Sequence, residues 1–124
     1  MLIRFTVLAD DPDSGRASGV FVVAHTLRDE GDLTVDEHRE LRLVLSWFNE
    51  NLSIPAVLKH IEHRRAISWF KPAAAVAIRR MWQLKELLDV HGYHVNVLRT
   101  TDPGNIVYED DLQVIAKPRK GQRF

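Results

Sequence analysis

The middle of the chain places a strand pattern, a helix pattern and a second strand pattern in direct succession. Residues 66–70 are mostly apolar, and the Lys71-Pro72 pair ends this run. The longer segment that begins there repeats its apolar residues at helical spacing as far as a His-Gly pair. Residues 93–97 then alternate apolar and polar side chains, as a half-buried strand does. Because the helix crosses over the sheet, we expect the two strands to be parallel if they are neighbours or near neighbours.

Two further helices and a first strand are predicted before this unit. Residues 2–9 alternate as in a strand. Residues 17–27 repeat apolar side chains at helical spacing, although a strand over residues 19–26 is the competing interpretation because its valines suit a sheet. Thr34 and Glu37 have the spacing of a capping box, which predicts that the next apolar stripe is a helix.

The C-terminal part reads as strands joined by turns. Residues 52–65 are predicted to be a loop or a short helix. The Asp-Pro-Gly sequence at 102–104 favours a type II turn, so we expect a hairpin between the preceding strand and residues 105–108. The acidic pair at 110–111 either bulges this return strand or turns the chain into a further strand at 112–116.

These elements follow the order β-α-α-β-α-β-β, which predicts an α+β, two-layer sandwich with a mixed sheet of four to five strands and three helices. We expect one α+β domain over residues 1–116 and a basic tail over 117–124. The chain of 124 residues is long enough to bury a core, and it contains no cysteine. The lack of cysteine excludes thiolate catalysis, Cys-ligated zinc and disulfides. No apolar run approaches the roughly 20 residues that cross a bilayer, so we expect no membrane span. Arg4 and Thr6 interrupt the first apolar stretch, which therefore has neither a signal nor a transit pattern, and we expect a cytoplasmic protein.

Several short runs in the second half carry a resemblance. They are ISWFKP at 67–72, LRT at 98–100, PGNIVYED at 103–110 and QV at 113–114. They resemble segments of a set of small uncharacterised bacterial proteins, and the resemblance covers the chain best from Ile67 onwards. It implies no activity, so it transfers no site residue.

Positive charge is concentrated in the middle of a chain that is neutral as a whole. Seventeen Lys and Arg balance seventeen Asp and Glu, but residues 51–85 carry seven Lys and Arg against Glu62 alone. The candidate partner-binding residues are Lys59, Arg64, Arg65, Lys71, Arg79 and Arg80. Arginine anchors protein interfaces and binds phosphate through its planar fork, so this region fits either a protein or a nucleic-acid partner.

Two groups of side chains have the composition of a reactive site. His60 and His63 would share one face of a helix. Zinc needs a third ligand, and the sequence places no Asp or Glu at a spacing typical of one. Glu109, Asp110 and Asp111 form the densest acidic run in the second half, but successive strand residues point to opposite faces. Phosphate-binding glycine loops and nucleophile elbows are absent from the sequence. We therefore predict no cofactor and no metal.

The sequence favours a non-catalytic binding module that recognises a protein partner or a second copy of itself, through the basic residues and exposed aromatic side chains. One alternative is a nucleic-acid-binding protein that uses the basic region 59–80. The other is a small hydrolase or transferase that uses Glu109, Asp110 and a histidine. A homodimer is expected if the final hairpin leaves an unprotected edge strand.

Overall fold

The computed structural model describes residues 1–7, 19–56 and 65–124, and within them it contains five strands and three helices. The strands are β1 (Leu2–Val7), β2 (Ile67–Phe70), β3 (Val95–Thr100), β4 (Asn105–Glu109) and β5 (Gln113–Lys117). The helices are α1 (Val20–Glu30), α2 (Val35–Asn51) and α3 (Ala75–Val90). The α+β class and the predicted order of seven elements are confirmed, and β5 follows them as a further strand. No helix in the described ranges is long and apolar enough to cross a membrane.

All five strands belong to one sheet with the order β3-β1-β2-β5-β4. Its four adjacent pairs are all antiparallel, so the expectation of a mixed sheet is corrected. The physical reason is the position of β1, which lies between β2 and β3 and is antiparallel to both. The strands that flank α3 are therefore parallel to each other, as expected for near neighbours, but they share no hydrogen bonds.

The two N-terminal helices form because their apolar residues recur on one side. Helix α1 is confirmed against the competing strand, since its buried residues follow helical spacing; they are Val20, Val23, Ala24 and Leu27. Helix α2 starts with the predicted capping box. The Thr34 hydroxyl oxygen accepts from the Glu37 N–H at 3.1 Å, and Glu37 Oε1 accepts from the Thr34 N–H at 3.0 Å.

Helix α3 completes the layer that covers one face of the sheet. It begins at Ala75, three residues later than the proline that was expected to open it. The helices bury their apolar sides against Phe5, Val7, Phe70 and Val95 of the sheet. This single core holds most of the large apolar side chains, which is what stabilises a two-layer domain.

The predicted hairpin between β3 and β4 is wrong. Strand β3 pairs with β1 and β4 pairs with β5, so β3 and β4 lie at opposite edges of the sheet. Residues 101–104 do turn the chain, with Gly104 at a φ of +105°. The hairpin forms one strand later, because Asp110 accepts from the N–H groups of Leu112 and Gln113 and folds β5 back onto β4.

Residues 101–104 join β3 to β4, which lie at the two edges of the sheet, and this connection is so short that the sheet must curl. From Thr100 to Asn105 the chain reaches at most about 18 Å. Four strand spacings across a flat sheet need about 19 Å, without any offset along the strands. We assign the curl to the junction of β1 and β2, because Ile3 and Phe70 are the single residue pair in register between these strands. Strands β1 and β3, in contrast, pair along six consecutive residues.

The face away from the helices is closed by residues 101–104 and by the C-terminal residues. Trp69 lies on this face, is 0% exposed and packs edge-on against the ring of Phe124 with centroids 4.8 Å apart. Arg119 forms an ion pair with Asp102, and the Gln122 side chain donates to the Asp102 carbonyl. Strand β5 ends at Lys117, and Arg119 lies two residues beyond it. Through Asp102, Arg119 connects the C-terminal residues to residues 101–104, which we call the crossing connection.

Replacement of Gly104 by alanine tests the crossing connection. A Cβ there would lie 2.1 Å from the Lys117 carbonyl oxygen, on backbone that cannot retreat without breaking β5. We expect Gly104→Ala to lower the free energy of unfolding by at least about 3 kcal/mol, measured by urea denaturation. Gly121→Ala is the matched control, since Gly121 also has a positive φ of +92° but open space around it, and it should cost about 1 kcal/mol. Equal losses in both variants would contradict the close approach.

Candidate functional site

The predicted basic residues do not form one cluster in the described part of the chain. Lys59 and Arg64 lie outside the described residues. Arg65 is exposed just before β2. Lys71 follows β2, and its Nζ lies 2.8 Å from Glu109 Oε2, so its charge is already neutralised.

The two remaining basic residues lie on α3. Arg79 is exposed, and Arg80 is half-buried and donates weakly to Gln83 at 3.4 Å. Within the described ranges, no hydrogen bond or ion pair links them to Lys71. Trp69 is buried, as expected for its strand, so it offers no ring beside these cations for stacking on a base.

The acidic residues that were candidates for catalysis point away from each other. Glu109 pairs across the strand with Val114 and reaches Lys71. Asp110 turns inward and accepts from the Leu112 N–H at 2.9 Å, the Gln113 N–H at 3.0 Å and the Tyr108 hydroxyl at 3.0 Å. Every contact of Asp110 organises the turn, and no histidine of the described residues approaches it by hydrogen bond.

A buried polar network continues from this turn. Gln113 is 1% exposed, and its amide donates to the Ser53 carbonyl and to Asp110 while its oxygen accepts from the Ser68 hydroxyl. Burial raises the pKa of Asp110, but the hydrogen bonds from Leu112, Gln113 and Tyr108 outweigh it, so the pKa lies below its ordinary value. A carboxylate held in this way stabilises the fold and is a poor proton donor near neutral pH.

His91, which the structure describes, has a structural role, whereas the two candidate metal-binding histidines, His60 and His63, lie outside the described residues. His91 Nε2 lies 2.7 Å from Glu37 Oε2, which ties the end of α3 to the start of α2. The Thr34 N–H and then His91 hold the pKa of Glu37 below its usual value. Within the described ranges, no group of three potential metal ligands occurs.

A groove of about 870 Å³ runs along α1, α2 and the residues that follow α2. We call it the α1–α2 groove and define it by Phe21, Arg28, Arg42, Phe48, Leu52 and Ile54. Its floor is aromatic, because the rings of Phe21 and Phe48 meet edge-to-face with centroids 5.1 Å apart.

The α1–α2 groove has a basic end and an apolar end. Arg28 follows Phe21 by seven residues on α1, and Arg42 precedes Phe48 by six residues on α2. At 1.5 Å per residue, both helices place an arginine roughly 10 Å from the aromatic floor, toward the α1–α2 connection. Leu52 and Ile54 extend the apolar end. Such a surface fits a ligand that carries an anionic group and an apolar group about 10 Å apart.

The groove is not uniformly positive. The Arg28 side chain donates to Asp29 at 2.8 Å, and this hydrogen bond raises the pKa of the guanidinium. Glu50 also lines the groove. Within the described ranges, no carboxylate forms an ion pair with Arg42. Arg42 is therefore the cation we expect to meet an anionic group.

This groove was not predicted from the sequence, although a signal for it exists. Phe21, His25 and Arg28 recur at spacings of four and three on one side of α1, and Arg42 and Asn49 are seven residues apart on α2. The signal becomes meaningful only when α1 and α2 are known to be antiparallel neighbours.

Comparison with known proteins adds no family. No family model, no curated protein and no solved structure matches the chain. The resemblance of the second half to small bacterial proteins therefore stays an expectation, and the proposed function rests on the geometry of the described residues.

Substitutions at the acidic turn separate structural from exposed carboxylates. Asp110→Ala leaves two N–H groups and a buried amide without their acceptor, so we expect a loss of about 2–3 kcal/mol in the free energy of unfolding. Glu109→Gln removes a half-exposed ion pair and should cost no more than about 1 kcal/mol. Chemical denaturation measures both, and a larger loss for Glu109→Gln would contradict the assignment.

The Glu37–His91 pair predicts how stability changes in acid. Because the folded-state pKa of Glu37 is lower than its ordinary 4.5, its contribution is complete above that value and is lost as the pH falls through the folded-state pKa. We expect the stability of Glu37→Gln to fall less steeply than wild type below about pH 4.5, in urea titrations at several pH values. Glu40→Gln on the exposed side of α2 is the control, and identical slopes for Glu37→Gln and wild type would count against the pair.

Proposed function

We propose that the protein is a non-catalytic binding module that recognises a segment of another protein in the α1–α2 groove. The observation that carries the proposal is the division of this groove into an end with Arg28 and Arg42 and an end with Phe48 and Ile54. A protein segment with one acidic and one bulky apolar side chain complements both ends. Of the basic residues on which the sequence-based hypothesis depended, the four that the structure describes do not line the groove; they are Arg65, Lys71, Arg79 and Arg80.

The use of the carboxylates supports binding rather than catalysis. Asp89, Asp102 and Asp110 each accept a backbone N–H, and Glu37 caps α2. Burial raises the pKa of Asp89 and Asp110, but hydrogen bonds outweigh it, above all from Lys85 to Asp89 and from the Leu112 N–H to Asp110. The Arg119 side chain lowers the pKa of Asp102 and the Thr34 N–H lowers that of Glu37, so all four groups stay charged. A general acid or base instead needs a pKa near the working pH and a proton within reach.

The dimensions of the groove suggest the form of the partner segment. In a polyproline II segment, which has three residues per turn and rises about 3.1 Å per residue, residues three positions apart lie on the same side and are separated by about 9 Å. This separation is close to the distance between the basic and apolar ends. We therefore expect an acidic residue at one end of a four-residue motif and a large apolar residue at the other. A cytoplasmic location is part of the proposal, since a chain without cysteine fits a reducing compartment.

Selection from a random peptide display library tests the proposal. We expect the enriched peptides to share this four-residue motif, and a fluorescent copy of one of them to bind in a titration. Arg42→Glu and Ile54→Asp should each weaken its binding at least about tenfold, because they place an anion at the basic end and a charge at the apolar end. Ile54 is highly exposed, so its substitution leaves the core intact.

Two further variants locate the binding surface. Arg39→Glu on α2 lies one turn from Arg42, outside the groove, and should leave binding unchanged. Arg79→Glu tests the basic residues of α3. Binding that is lost in Arg79→Glu and kept in Arg42→Glu would move the site away from the groove.

Nucleic acid is tested in parallel with a labelled single-stranded oligonucleotide. Phosphate binding would weaken steeply as salt rises and would depend on Arg64 and Arg65. We expect no such binding. Salt-dependent binding that Arg64→Ala and Arg65→Ala abolish, together with no enriched peptide, would replace the proposed function by the nucleic-acid alternative.

A further inference from the structure

The outer side of β3 presents backbone groups that β1 does not use. The Val95 N–H donates to Asp89 Oδ1 at 3.0 Å, so it points away from β1. In an antiparallel pair, hydrogen-bonded and non-hydrogen-bonded residues alternate. Val97 and Arg99 therefore also direct their N–H and C=O groups outward. On the other side of β1, Ile3 is free to bond with Phe70 of β2, which agrees with this alternation.

The two edges of the sheet differ in how they are protected. Strand β4 is interrupted by a bulge between Ile106 and Tyr108, a device that blunts an edge. Strand β3 pairs with β1 through six uninterrupted residues and contains no proline. Of the two edges, β3 is the more regular one. Asp89 occupies its outward Val95 N–H, whereas the outward groups of Val97 and Arg99 are left to bond with another strand.

An apolar and charged flank of α3 borders this edge. Trp82 is 41% exposed, and its ring meets Phe5, the residue that pairs with Val97 of β3. Val90 is 70% exposed and lines a shallow depression with Trp82, Lys85, Glu86 and Asp89, in which Lys85 and Asp89 form an ion pair and Glu86 is exposed. Because the Asp89 side chain also reaches Val95, this flank lies directly beside the start of β3.

We propose that a second copy of the chain pairs with β3, antiparallel and about a two-fold axis at Val97, to form one continuous sheet in a homodimer. Two copies of one strand that pair antiparallel have this two-fold symmetry, because residue i of each copy pairs with the same residue j of the other. With Val97 opposite Val97, Arg99 of each copy lies opposite Val95 of the other. Both helical layers then lie on the same side, and the two copies of Trp82 approach the axis.

Charge complementarity specifies this occupant. The side chain of Arg99 is exposed and lies on the helical face, since Arg99 pairs with the core-facing Ile3. Opposite Val95 it faces Glu86 of the other copy near the C-terminal end of α3, where the helix dipole also favours a cation. Asp89 is already paired with Lys85 and with the Val95 N–H, so Glu86 is the acid that this contact uses. The two-fold axis makes the contact twice, so each copy supplies both the arginine and the glutamate.

Sedimentation velocity on the full chain tests the dimer. We expect wild type to sediment as a species of twice 14.3 kDa at micromolar concentration. Val97→Pro removes an N–H that points to solvent in the monomer, so it should weaken dimerisation at least about tenfold with little change in the circular dichroism spectrum. A wild-type chain that stays monomeric up to millimolar concentration, or a folded Val97→Pro that dimerises as wild type does, overturns the proposal.

A charge swap keeps the test decisive if Val97→Pro does not fold. Arg99→Glu and Glu86→Lys, both at exposed positions, should each weaken the dimer by placing like charges together. The double variant Arg99→Glu with Glu86→Lys should recover most of the lost affinity, and Glu40→Lys on α2 should leave it unchanged. A swap that restores nothing, or a dimer unaffected by either single change, places the interface elsewhere.

Discussion

Four residues, 101–104, carry the chain from one edge of a five-stranded sheet to the other, and the rest of the structure depends on this connection. A flat sheet is too wide for it, so the sheet has to curl where β1 and β2 share one registered pair. The connection then closes the face that holds Trp69, and its glycine lies against the backbone of β5. The helices have only the opposite face to cover.

This arrangement decides which surfaces are left for binding. The strand that enters the connection, β3, becomes a regular edge, whereas β4, which leaves it, carries a bulge. The acidic side chains near the turns hold backbone N–H groups or cations, and their low pKa values follow from those contacts. The α1–α2 groove and the β3 edge are therefore the surfaces with unmatched chemistry among the described residues. Our proposals assign the α1–α2 groove to a protein partner and the β3 edge to a second copy of the chain.

Local patterns in the sequence predicted the elements well. The capping box at Thr34 and the apolar repeats of the three helices depend on neighbours within a few residues, so a single sequence contains them. The antiparallel sheet and the β4–β5 hairpin could not be predicted from local patterns. They depend on the position of β1 between β2 and β3 and on which of two turns joins neighbouring strands. The Asp-Pro-Gly turn was predicted and does form, but its strands separate instead of pairing.

The candidate site shows the same limit. Lys71 and Glu109 are 38 positions apart, so a count of charges along the chain did not reveal that they neutralise each other. The arginines of the α1–α2 groove lie on two helices, and only their antiparallel packing brings them to one end. Asp110 was a candidate for catalysis because acids were dense there, but its orientation is set by N–H groups of the following turn.

The most direct measurement is a titration of the isotopically labelled protein with a peptide that carries the acidic and apolar motif, followed by amide chemical shifts. A groove site predicts that the largest changes fall in residues 21–28 and 42–54, with the amides around Arg65, Lys71 and Arg79 unchanged. Chemical-shift changes confined to the amides around Arg65, Lys71 and Arg79, with no change at the groove residues, would contradict recognition by the α1–α2 groove.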